Sequence, residues 1–284
     1  MKPAPFSYHA PTELRDALKL LSALAPQDGR ILAGGQSLVP TMAFRMARPA
    51  HLIDINGIRE LEGVAVNDNY LRIGACTRHA YFESDEIPGR LGELLRKVVH
   101  FIAHYPIRQR GTFCGSVANS DPSSEWCCVT AALDGIIVAE SEHGSRRIAA
   151  KDFYRAVMTT DIREDELITA VELPLLPQDT RTGFCEFSRR AGDFAITMAL
   201  ATYRLDAGRI TDARVGLGGA EATPRRIAEA ETILNGQEPK PATFEAAADA
   251  AAAVIDPLDD NNNSTEYRRA LVRTLVFRAL ASAS

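Results

Sequence analysis

An apolar run, Ile31-Leu32-Ala33, stops at Gly34-Gly35 and continues as Gln36-Ser37-Leu38, which forces a sharp bend directly after an extended segment. Adjacent glycines admit positive φ and let a backbone approach a ligand with no Cβ in the way. Successive N–H groups in such a bend form an electropositive concavity suited to phosphate. No Gly-Lys-Ser/Thr follows at P-loop spacing, and the dinucleotide fingerprint G-x-G-x-x-G is missing. Alone, the bend has two readings, an ordinary turn and a ligand loop, and the ordinary turn is the commoner.

A second small, polar, glycine-containing stretch spans residues 110–125, Arg110-Gly111-Thr112-Phe113-Cys114-Gly115-Ser116-Val117-Ala118-Asn119-Ser120-Asp121-Pro122-Ser123-Ser124-Glu125, and leads into an apolar helical run over residues 126–133. Two such loops in one chain suit a pyrophosphate gripped from two sides. At these residues the chain resembles the FAD-binding medium subunit of the molybdenum hydroxylases, the family of xanthine dehydrogenase, aldehyde oxidase and aerobic carbon monoxide dehydrogenase. The first family loop, Ala-Gly-Gly, then Gln, His or Asn, then Ser or Thr, then Leu, is matched by Ala33, Gly34, Gly35, Gln36, Ser37 and Leu38. The second, Thr/Ser-Ile/Val-Gly-Gly-Asn/Ser followed after a spacer by a Pro-containing acidic segment, is matched by residues 112–116 and 121–125, with Cys114 standing where the family has glycine.

The resemblance implies an α+β fold. A two-subdomain FAD-binding domain of PCMH type covers residues 1–177, with subdomains of about 1–57 and 58–177. A smaller C-terminal domain, 178–284, carries a three-stranded antiparallel sheet and a helical bundle. It also implies that FAD lies extended with its pyrophosphate between the loops. Backbone amides of residues 33–37, flanked by Leu32, Leu38 and Gly111, and the hydroxyls of Ser37, Thr112 and Ser116 then hold phosphate oxygens. Ser124 and Glu125 fall near the ribose or adenine end. Ile102, Ala103 and Asn119 fall on family contact positions, and Ile168 and Phe194 fall where the flavin ring packs. Read without the resemblance, Ile102, Ile168 and Phe194 are plain core residues. Cys114 and Gly115 complete the second loop, and the Cys114 thiol is expected to point harmlessly away. No catalytic residue and no metal ligand is expected on this chain. A large molybdenum-cofactor subunit and a small subunit with two 2Fe–2S clusters are implied as partners, in a heterotrimer or a dimer of heterotrimers.

The net charge of −5 argues against a nucleic-acid partner. The N-terminal residues lack a signal-peptide core, and no apolar run approaches the roughly 20 residues of a membrane span, so a cytoplasmic chain without membrane insertion is expected. Five cysteines at 76, 114, 127, 128 and 185, without C-x-x-C or zinc spacing, read as reduced thiols and not as cluster ligands. The six histidines are scattered; His79 and His104 lie closest to the loops.

In chain order, strands are expected at 6–9, 30–32 and 52–55, with a helix capped by Thr12 between the first two and a short helix over 39–46. A hairpin is expected at 64–73, an amphipathic helix at 91–102, and a second hairpin at 135–149. A strand at 167–173 precedes a linker near Pro177. Arg108 and Arg110 have two equal readings, as offsets for pyrophosphate charge or as a solvated connector. Strands at 184–188, 199–205 and 211–217 and helices at 224–234, 243–254 and 265–281 complete the chain, the run 216–219 being a strand-end turn. Three functions are compatible: an electron-transferring flavin subunit of a molybdenum hydroxylase, an autonomous FAD-dependent oxidoreductase on the same fold, and a redox-silent nucleotide-binding module.

Overall fold

The computed structural model describes residues 2–260 and 262–283. Its first layer comprises β1 (Ser7–His9), α1 (Leu14–Leu24), β2 (Gly29–Leu32), α2 (Leu38–Ala43) and β3 (His51–Asp54), with the strands parallel in the order β1-β3-β2. Helix α1 buries Ala17, Leu18 and Leu21 at helical spacing. Thr12 is not its cap: Glu13 occupies that position without a side-chain cap. The amide of Leu14 instead donates to Glu60 Oε1 at 2.9 Å, a tertiary partner that no local pattern reveals.

The second layer opens with β4 (Val64–Val66) and β5 (Tyr70–Gly74), followed by α3 (Gly89–Val99), α4 (Tyr105–Arg108), α5 (Phe113–Asn119) and α6 (Glu125–Ala132). It continues through β6 (Ile136–Ser141), β7 (Gly144–Ala149), α7 (Ala150–Phe153), the small pair β8 (Tyr154–Ala156) and β9 (Thr159–Thr160), and β10 (Leu167–Pro174). The strands β4, β5, β6, β7 and β10 form an antiparallel sheet ordered β4-β5-β10-β6-β7. The last strand to be made is therefore the central one, and every residue from Leu167 to Leu173 is buried. That explains its nearly continuous apolar run.

The remainder comprises β11 (Arg181–Phe187), β12 (Thr197–Asp206), β13 (Arg209–Gly218) and β14 (Arg225–Arg226), then α8 (Ala228–Leu234), α9 (Pro241–Val254) and α10 (Thr265–Ala281). The antiparallel sheet has four strands where three were expected, because Arg225 and Arg226 pair with Leu217 and Gly216. This shortens the helix expected from residue 224. Arg226 is held there by Glu231 and Asp134. Along β12, Met198 and Leu200 join the large core under the first two layers, whereas Ala199, Ala201 and Tyr203 join the core made with α8 to α10. A strand covered on both faces needs no polar side, so its alternation is lost.

Helix α6 is buried at all eight positions, and a helix apolar all round belongs inside. It lies close against β13 because glycine faces it there. A Cβ at Gly216 would come within 2.3 Å of Ala132 Cβ, and one at Gly218 within 3.1 Å of Cys128 Cβ. Among the described residues no helix is long and apolar enough to cross a membrane.

Candidate functional site

Strand β2 delivers the first glycine bend. Gly35 has φ +71°, conformational space that suits glycine, and Val39 N–H donates to its carbonyl at 3.0 Å to start α2. The amides of Gly34, Gly35, Gln36 and Ser37 make no hydrogen bond within the described residues. They form the concave run of free donors that an anion requires.

The second glycine stretch meets the first. A Cβ on Gly34 would lie 2.4 Å from Arg110 O and 2.7 Å from Gly111 Cα, so the two bends touch backbone to backbone. A brace that sequence reasoning missed holds them together. Asn56 Nδ2 donates to Ala33 O at 2.8 Å, Arg78 Nη2 donates to Asn56 Oδ1 at 2.6 Å, and Arg78 Nη1 donates to Arg110 O. His79 N–H donates to Gly111 O at 2.9 Å and Phe113 N–H to Thr77 O at 3.0 Å, which ties the second bend to the segment carrying Arg78. Neither Asn56 nor Arg78 belongs to a sequence motif; only their positions in space reveal them.

The second stretch is not one continuous loop. Residues Phe113–Asn119 form α5, capped by Thr112, whose Oγ1 accepts from Gly115 N–H at 3.1 Å. Its content of Gly, Ser and Asn is poor in helix formers, and burial of Phe113, Cys114 and Val117 supports it instead. Ser116 and Asn119 stand three residues apart on this helix and share a face. Cys114 has ordinary helical backbone, is 2% exposed and points its Sγ at Ile73 O, 3.5 Å away in β5. Burial pushes its thiol pKa up.

Behind the bends lies an aromatic cluster. Trp126 stacks on Phe113 at 4.7 Å, and its Nε1 donates to His79 Nδ1 at 2.9 Å. Burial, with Arg108 and Arg78 adding, lowers the His79 pKa to about 3, so the ring is a neutral acceptor that packs against Gly111. Arg108 is committed internally, to Glu83 and to the carbonyls of Ile102 and Ala103, which removes it as an offset for ligand charge. Arg110 has no ion pair among the described residues.

Ser124 and Glu125 begin α6 and are buried. Desolvation, aided by Asp121, raises the Glu125 pKa to about 7. Desolvation followed by the charge of Glu125 raises the pKa of Glu186 on β11 to about 9, and Glu186 Oε2 is buried with no hydrogen-bond partner among the described residues. Ala33, Cys114, Gly115 and Ile168 line one mostly apolar cavity of about 300 Å³ between β2, α5 and β10. Ile102 and Ala103 follow α3, and Ala103 takes φ +45°. Phe194 is 72% exposed in the connection from β11 to β12, so the reading of it as core fails. The neighbouring Gly192 in that connection lies against the His104 ring. A larger cavity, about 610 Å³, between residues 174–177 and the C-terminal sheet holds none of the expected residues, and its arginines at 204 and 226 are already ion-paired.

Free amides at a double-glycine bend in backbone contact with a second bend define the class of protein that suits an anionic ligand such as a phosphate. Comparison with known proteins makes this specific. Residues 4–176 match the FAD-binding domain of molybdopterin dehydrogenases, and residues 182–283 match the carbon monoxide dehydrogenase flavoprotein C-terminal domain. The chain is 39% identical to the 6-hydroxypseudooxynicotine dehydrogenase complex subunit alpha of Paenarthrobacter nicotinovorans, covering 100% of this chain and 96% of that one. It is 34% identical to the carbon monoxide dehydrogenase medium chain of Afipia carboxidovorans, over 100% and 98%. The structure superposes on carbon monoxide dehydrogenase from Hydrogenophaga pseudoflava with TM-score 0.95 and 33% identity, covering 100% of this chain and 98% of that one. The chain belongs to the FAD-binding medium-subunit family of the molybdenum-containing dehydrogenases, and it is an oxidoreductase subunit.

Proposed function

We propose that this chain is the electron-transferring flavin subunit of a heteromeric molybdenum hydroxylase, taking electrons from a 2Fe–2S partner subunit and passing them to an external acceptor. The observation that carries the reading is the contact of Gly34 with Arg110 and Gly111 beside four unbonded amides. In this reading the amides of residues 33–37 and the hydroxyls of Ser37, Thr112 and Ser116 bind the pyrophosphate of FAD. Charge-assisted bonds of this kind are each worth about 1.5–3 kcal/mol. Thr112 serves twice, its oxygen accepting from Gly115 while its proton stays available. Ser124 and Glu125 face the ribose or adenine end, with Asn119, Ile102, Ala103 and Ile168 as further contacts, and exposed Phe194 packs the ring. FAD, when bound, supplies the redox chemistry. The chain binds and orients it, so no acid–base pair or nucleophile is required of the protein. A boundary near residue 177 between a flavin domain and a C-terminal domain belongs to the same reading, as does assembly with a large molybdenum subunit into a heterotrimer or its dimer.

The test is purification from the native host with cofactor extraction. FAD on this chain, a flavin band bleached by dithionite and two co-purifying subunits, one with 2Fe–2S clusters, are expected. A folded, colourless chain that takes up no added FAD overturns the reading.

A further inference from the structure

Asn56 stands between the two bends with each of its side-chain hydrogen bonds fixed in direction. Its Nδ2 donates to Asp54 Oδ1 at 2.5 Å and to Ala33 O at 2.8 Å, and its Oδ1 accepts from Arg78 Nη2 at 2.6 Å. A flipped amide would set donors against a guanidinium and an oxygen against two acceptors, so the orientation has no alternative. Ala33 O belongs to the same peptide unit as Gly34 N–H, one of the four amides without a partner among the described residues. A chain of hydrogen bonds therefore starts at the Arg78 guanidinium and passes through the Asn56 amide. It enters the Ala33–Gly34 peptide at its oxygen and leaves at a free N–H. Bonds aligned head to tail in this way polarise one another, each strengthening the next by roughly 10–30%.

Arg78 is the source of charge at the head of this chain. It is half-buried and forms no ion pair among the described residues, and its other hydrogen bond goes to a neutral acceptor in the second bend, Arg110 O. Among the described residues one other half-buried arginine lacks an ion pair, Arg269. Its guanidinium meets the carbonyls of Ala252 and Ala253 in the last turn of α9, where the helix dipole supplies negative charge. Arg78 has no such compensation, and a cation drawn partly out of water is costly without an opposite charge. The open end of its hydrogen-bond chain is the anion-binding bend.

We propose that Arg78 is the counter-charge for the diphosphate of the bound dinucleotide, acting through Asn56 and the Ala33–Gly34 peptide. Arg78 and Asn56 are then positioning residues that sharpen the Gly34 amide as a donor. The proposal rests on the flavin reading above, because a diphosphate between the bends supplies the missing negative charge.

The experiment titrates FAD and riboflavin, at low and high salt, into the full-length chain and its variants. Arg78→Gln removes the charge; it is expected to weaken FAD about tenfold, to leave riboflavin nearly unchanged and to flatten the salt dependence of FAD binding. Arg78→Lys keeps the charge and is expected to recover most of the FAD affinity. Asn56→Ala opens the chain in its middle and should weaken FAD about as much as Arg78→Gln. Joining the two substitutions should cost little more than either alone, because both interrupt one path. Equal losses in Arg78→Gln and Arg78→Lys, equal losses of FAD and riboflavin, a wild-type salt dependence in Arg78→Gln, or additive losses in the double variant would reduce Arg78 to a brace and overturn the proposal. Should Arg78→Gln not fold, Asn56→Ala decides: wild-type FAD affinity there, or a riboflavin loss as large as the FAD loss, overturns it equally. A wild-type chain that takes up no FAD overturns the flavin reading itself, whereas a wild-type chain that binds FAD beside insensitive variants overturns this proposal alone.

Discussion

Gly34 and Gly111 are fixed by proximity and not by their own dihedral angles, since neither has positive φ. A methyl on Gly34 meets backbone 2.4 Å away, which no rotamer change relieves. Gly34→Ala is expected to weaken FAD binding at least tenfold, about 1.4 kcal/mol, by titration of flavin fluorescence. Cys114 has the opposite character. Its side chain packs inward from a helix, so Cys114→Gly should cost about 1–2 kcal/mol in denaturant unfolding through helix propensity and lost burial, with flavin affinity unchanged. A large loss of bound FAD in that variant would show that the thiol takes part in binding. Glu125 gives a pH dependence whose sign is set by burial. Its folded pKa of about 7 lies above its ordinary 4.5, so the folded protein holds the extra proton between those values. Stability from this group is therefore full below about pH 4.5 and is lost as pH rises through 7, by up to about 3 kcal/mol. Glu125→Gln should flatten the difference in apo-protein melting between pH 5 and pH 8; an unchanged slope would mean the carboxyl is not buried as described.

At the level of elements, α5 shows what local pattern conceals. Thr112 caps it, and Thr112→Ala should lower stability by about 1 kcal/mol in chemical denaturation, with Thr112→Ser restoring most of it. The run after Thr112 reads as loop because Gly115, Ser116 and Asn119 favour turns when isolated, and only packing of Phe113 on Trp126 and Phe82 makes them helical. Elements with a strong period of their own were legible, among them α3, with Leu91, Leu94, Leu95, Val98 and Val99 inward, and the hairpins β4-β5 and β6-β7. Both glycine bends were legible because glycine is demanded by close approach. Asn56 and Arg78 were not, since a brace between distant segments leaves no spacing to read. The inward commitment of Arg108 and the two-residue strand β14 escaped for the same reason, each being defined by a tertiary partner.

Across the whole molecule, a ligand that bridges the bends couples them. Saturating FAD should raise the melting temperature by several degrees, since a ligand at about a hundred times its dissociation constant adds about 2.7 kcal/mol. Riboflavin, which lacks the pyrophosphate, should give little of that gain; equal protection by both would place the main grip elsewhere. The two bends come from different layers, one following β2 and the other preceding α5, and Arg78 from between them holds the carbonyl of Arg110 directly and that of Ala33 through Asn56. During synthesis the leading bend therefore leaves the ribosome well before its counterpart exists. A nascent chain interrupted ahead of residue 110 has half a clasp and nothing to close it, which makes cofactor loading a late step, reserved for molecules whose two layers have already found each other.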